Sequence, residues 1–252
     1  MRRGRLASPA MNDTSRPFLR RIMPQLGPMG WEGAELSASE YMLPLGAEQR
    51  AEIEAGPEAP GPCIEALAGT MRPRLDHGQG FMLLRGLPRD LPAASVLRAL
   101  GRHLGTALPA EADPTFCDVL LLRPDAPARL TLLSAASVHN ALLLRDKPLL
   151  TSLYAASPAL GDGIAFQVSG GVFAGYRGPA VPEAAVPETL RTALEAPGLS
   201  LSMQGGDVLV LNPFLVWLRD RPEASHLALR ASQTRMDFPE WAPPMQSLAA
   251  AG

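Results

Sequence analysis

The 252-residue sequence is poor in cysteine, lysine, histidine and aromatic side chains, and each shortage narrows what the chain can be. Two cysteines, Cys63 and Cys117, are too few for a disulfide framework and point to a reducing cytosol, with one bridge between them the only pairing open. Lysine occurs once, at Lys147, so the basic side is arginine and the net charge is −2. Without a cationic excess there is no electrostatic ground for expecting nucleic acid or an acidic membrane as partner. No apolar run reaches the roughly 18 residues of a membrane span. Arg2, Arg3 and Arg5 lead into no apolar stretch of the secretory kind, and Met11 is a second candidate start. A cytoplasmic protein is expected. With 46% hydrophobic and 19% charged residues, the chain can bury a substantial core as one domain.

Residues 1–30 mix Pro, Gly and Arg without periodicity and read as a loose arm, and 239–252 as a flexible tail. The domain between them, 31–238, opens with helices. Ser37 and Glu40 have capping-box spacing, Cys63 to Leu75 has helical spacing, and Pro92 to Leu104 places Val96, Leu97, Leu100 and Leu104 on one face. Phe81 to Leu84 is a continuous apolar run between glycines, the pattern of a buried strand. Further strands are expected at Asp118–Leu122, Arg129–Leu133, Ile164–Ser169, Val172–Tyr176, Leu199–Met203, Asp207–Leu211 and Leu227–Met236. Helices are expected at Val138–Leu144, Pro148–Tyr154 and Pro187–Leu194. Gly161-Asp162-Gly163 and Gly170-Gly171 read as turns. Many short strands preceded by helices indicate an α+β, mainly β fold, a jelly roll with helical decoration.

Three blocks, in order, carry a family resemblance. They are Gly80-Phe81-Met82-Leu83-Leu84-Arg85-Gly86, then Cys117-Asp118-Val119-Leu120-Leu121-Leu122 with Ser137-Val138-His139-Asn140, then Gly206-Asp207 to Asn212 and on to Leu229-Arg230. The set resembles the taurine dioxygenase-like (TauD/TfdA-like) branch of the iron(II)- and 2-oxoglutarate-dependent oxygenases over roughly 31–236. The resemblance implies a double-stranded β-helix whose open end holds iron through a His-x-Asp or His-x-Glu pair and one distal histidine, a set that suits iron(II) and leaves sites for cosubstrate and oxygen.

The ligands are missing. None of His77, His103, His139 and His226 begins such a triplet, Ala112 to Phe116 stands where the pair is expected, and Trp217 stands at the distal histidine. An indole offers no lone pair to a metal. Of the two family arginines near the anion, the first position matches His226 and the second Arg230.

The candidate residues each have two readings. Trp217 fills a pocket or forms the wall of one, and Arg219 makes an ion pair or a ligand contact. Arg230 faces an anion or pairs with Asp207 or Asp237. His139, Asn140 and Asn212 contact a ligand or hold connections, and Arg85 is read as structural. His226, if it points inward, and Asp118, if partly buried, are the acid–base candidates. Two functions from different classes follow. The first is a metal-independent, cofactor-free, non-redox enzyme acting on an anionic small molecule by displacement, elimination or cyclisation, in specialised-metabolite biosynthesis. The alternative is a non-catalytic relative that binds a ligand or stabilises a protein partner in a hetero-oligomer. A third, iron held by relocated ligands such as Asp113 with His139, stays open.

Overall fold

Continuous apolar runs set the architecture. In the computed structural model, which describes residues 22–56, 58, 61–154, 163–178, 186–195, 198–220 and 223–236, three such runs form neighbouring strands. These are β2 (Phe81–Arg85), β9 (Val208–Leu211) and β4 (Val119–Pro124). They sit inside a six-stranded sheet of order β1-β2-β9-β4-β11-β3, with β1 (Met42–Pro44), β11 (Ala224–Arg230) and β3 (Thr106–Ala107) completing it. Only the β1–β2 pairing is parallel.

Side chains alternate across a strand, so a strand apolar at every position must be covered on both faces. Phe81, Leu83, Leu120, Leu122, Leu209 and Leu211 point into an inner core, and Met82, Leu84, Val119, Leu121, Val208 and Val210 into an outer one. Helices cover the outer face: α2 (Ala47–Glu54), α3 (Pro62–Asp76) and α4 (Ala93–Gly101). Val96, Leu97, Leu100 and Leu104 are all buried there, as their spacing predicts. Glu52 of α2 accepts from the amides of Cys63 (3.0 Å) and Ile64 (2.9 Å), satisfying two of the unpaired N–H groups that open α3. The Glu40 carboxylate likewise accepts from Ser37 N (2.7 Å) and Oγ (2.9 Å), but the helix it opens, α1 (Ala38–Tyr41), runs into β1 after one turn.

The inner core is closed by a second sheet, β10 (Val216–Leu218), β5 (Ala128–Ser134) and β8 (Leu199–Met203), by the hairpin of β6 (Ile164–Ser169) and β7 (Val172–Arg177), and by α5 (Ala135–Arg145) and α6 (Lys147–Tyr154). Helix α7 (Glu188–Leu194) packs on α5. The chain is therefore α+β and built mainly on sheet, and among the described residues no sheet closes into a barrel.

Strand β11 departs from the expected Leu227–Met236. It begins earlier and ends at Arg230, because Asp118 accepts hydrogen bonds from Ala231 N (3.0 Å) and Thr234 Oγ1 (2.7 Å) and turns the chain away from the sheet. Cys63 and Cys117 are both free thiols. Among the described residues no helix is long and apolar enough to cross a membrane. The segment 22–30 is pinned to α5 and its N-cap: Asn140 pairs with Gln25 through both N–H···O bonds at 2.8 Å, and Ser134 Oγ donates to Met29 O at 2.6 Å. Residues 1–21, 239–252 and Gly161-Asp162 lie outside the described residues.

Candidate functional site

Trp217 lies on β10 opposite Leu133 of β5 and is 3% exposed. Its indole stacks on Phe166 at 5.8 Å and 27°, and its N–H donates to Gly175 O at 3.0 Å. The ring fits because residue 175 has no side chain. A Cβ there would stand 2.9 Å from Ala135 Cβ, 3.0 Å from Trp217 Cζ2 and 3.1 Å from Phe166 Cε1. Tryptophan and glycine are thus a matched pair across two sheets. The sequence carried a signal for Gly175, an isolated glycine inside an apolar strand, which marks a close approach.

Beside the indole remains a cavity of about 80 Å³, lined by Thr115, Leu120, Arg177, Leu211 and Arg219 among others. Small-molecule sites span roughly 300–1,000 Å³, so this space holds a few waters or one small polar group. The two arginines at its edge brace the backbone: Arg177 Nη1 donates to Leu218 O (3.0 Å) and Arg219 Nη2 to Leu194 O (2.9 Å). The stretch expected to carry the His-x-Asp pair is used for packing. Asp113 accepts from Thr115 N (2.9 Å), Thr115 Oγ1 (2.8 Å) and Tyr176 Oη (3.2 Å). Phe116 meets Tyr176 and Phe214 edge-on at 5.3 and 5.7 Å.

The remaining sequence-predicted residues do not gather around this cavity. His139 is fully buried among Tyr154, Phe166 and Phe173. Its Nδ1 meets Asn140 Oδ1 at 3.1 Å and its Nε2 meets Tyr154 Oη at 2.9 Å. Asn140 Oδ1 also accepts from Gln25 N, so the imidazole carries its proton on Nδ1 and accepts the tyrosine O–H at Nε2. Burial holds its pKa below 6.5, opposed by the Asn140 bond. Asn212 is 1% exposed and shapes the β9–β10 connection, its Oδ1 accepting from Phe214 N at 3.0 Å.

Asp118 is 3% exposed and committed to the chain after β11, with its pKa raised by burial against the hydrogen bonds that lower it. His226 shares the inner face of β11 with buried Ala228 but is itself exposed, so it lies beyond the core that would enclose an acid–base group. Arg230 lies opposite Thr106 and lines a separate groove near α3 and α4. Asp207, one partner considered for it, forms a 3.0 Å salt bridge with Arg85 instead, while Asp237 lies outside the described residues.

An iron(II) centre does not fit these side chains. The indole has no lone pair to give, both ring nitrogens of His139 are engaged, and among the described residues no three His, Cys, Asp or Glu side chains come together.

No family model matches the chain, and no curated protein matches it in sequence. Among solved structures it is similar to an asparagine oxygenase (AsnO), at 14% identity and a TM-score of 0.41, covering 76% of this chain and 93% of that one. It is also similar to the non-heme iron oxygenase OrfP, at 14% identity and a TM-score of 0.39, covering 75% and 94%.

Proposed function

We propose that this chain carries the double-stranded β-helix of the taurine dioxygenase-like oxygenases with the iron centre rebuilt as hydrophobic core, and that it acts by binding a ligand or a protein partner rather than by turnover. The ordered sequence blocks support the fold. The observation that carries the function is the Trp217–Gly175 pair. An indole buried to 3%, hydrogen bonded and stacked, occupies the strand position where the resemblance places a metal ligand. The residual cavity of about 80 Å³ is too small for a substrate and a cosubstrate together.

A second reading, metal-independent chemistry on an anionic small molecule, draws on Arg177 and Arg219 at the mouth of that cavity. Guanidinium groups there suit a carboxylate or sulfate. One preparation separates the readings. Protein purified with iron(II) and excess 2-oxoglutarate is expected to hold iron far below one per chain and to release no succinate. Stoichiometric iron or succinate release overturns both readings. Acetate titrated into the same protein is expected to leave Trp217 fluorescence unchanged. A saturable change that vanishes in Arg219→Ala shows an anion site beside Trp217, which the second reading requires and a filled centre excludes.

A further inference from the structure

A groove of about 670 Å³ runs between α3 and the turn after α4, beside the outer face of the large sheet and apart from Trp217. Helical spacing builds one wall, since Glu65, Gly69 and Arg72 follow one another along one face of α3. Gly69 opens the floor: a Cβ added there meets nothing within 4 Å. Arg102 and His103 form the opposite wall, and Arg230 and Ser232 close the end. The Arg72 guanidinium donates to the main-chain oxygen of His103, in the wall that carries Arg102. Gly105 allows the end of β11 to lie this close, because a Cβ there would stand 2.4 Å from Arg230 O.

Arg72, Arg102 and Arg230 line this space against one acidic residue, Glu65, in a chain whose net charge is −2. Thr106 and Ser232 line it as well. Among the described residues, His103 Nε2 is buried without a hydrogen-bond partner.

We propose that this groove binds a small phosphorylated molecule, with its phosphate held by Arg72 and Arg102. A phosphate monoester carries nearly two negative charges at neutral pH, the sign that a lining of three arginines and one glutamate favours. Guanidinium forks bind phosphate oxygens in pairs, and hydroxyl groups supply further donors. The volume exceeds what a phosphate fills and falls in the range of small-molecule sites, leaving room for the organic part of the ligand. The inference stands apart from the reading of the Trp217 centre, since the two places share no lining residue.

Calorimetric titration of the full chain with inorganic phosphate and phenyl phosphate, in a chloride buffer of low ionic strength, tests it. Saturable binding is expected, tighter for phenyl phosphate. Arg72→Ala and Arg102→Ala are each expected to weaken it about tenfold, as befits loss of a charge-assisted fork. Both residues are exposed, and circular dichroism of the variants checks that they fold as the parent does. The proposal fails if neither phosphate binds saturably, or if the double variant binds as well as the parent. It also fails if succinate, a dianion without a phosphoryl group, binds as tightly as phenyl phosphate.

Discussion

Gly175→Ala is the smallest change that tests whether the centre of the protein is packed. The new methyl would sit 2.9 Å from Ala135 Cβ and 3.0 Å from the Trp217 ring. The ring cannot retreat without giving up its bond to Gly175 O and its stack on Phe166. Overpacking of this kind costs about 1–3 kcal/mol, so a lower urea midpoint is expected for the variant. A midpoint equal to the parent's would mean that the indole swings aside into space, and the rebuilt-core reading would not survive it. The sequence alone excludes Trp217 as a metal ligand, because that follows from the chemistry of an indole. Whether it plugs or lines a pocket could not be read there. The deciding partner lies 42 residues earlier in the chain, and the two meet only through the packing of two sheets.

At the scale of elements, His139 joins α5 to α6 through Tyr154, while its neighbour Asn140 ties α5 to the segment at Gln25. Burial keeps the imidazole neutral and pushes the Tyr154 hydroxyl up to about 12, so the bond between them has a fixed direction. Below pH 6.5 the unfolded chain takes up a proton that folded His139 resists, since its folded pKa is the lower of the two. The stability it contributes is thus fully present above that pH and is lost as pH falls through the folded value. The slope can reach about 1.4 kcal/mol per pH unit. Urea unfolding at a series of pH values from neutral into mild acid should show this fall in the parent and a flatter profile in His139→Gln; parallel profiles would rule out a neutral buried imidazole. The strands and helices themselves were largely legible, because continuous apolar runs and helical faces are local patterns. Less legible was where an element stops. Ala228 lies in the inner core, but no local signal says that the covering layer ends before His226, two residues earlier on the same face. Nor does one say that Asp118 draws residues 231–236 off the sheet.

Among the described residues, the two larger cores lie back to back on one sheet. Leu83 and Leu84, or Leu120 and Leu121, are neighbours in sequence and belong to opposite cores, so neither core can open without moving strands that the other depends on. Such sharing favours a single cooperative transition. Trp31 and Trp217 both lie in the inner core, whereas helical circular dichroism sums α2, α3 and α4 on the outer core with α5 and α6 on the inner one. Intrinsic fluorescence and ellipticity at the helix band are therefore expected to trace the same urea unfolding curve. If fluorescence changes first, the inner core is a separate unit that loosens alone, as binding and catalytic regions often do. That outcome would count against a centre rebuilt for packing. Coincident curves are what the proposed filled centre should give, because the hydrogen bond and stack of Trp217 then belong to the same cooperative fold.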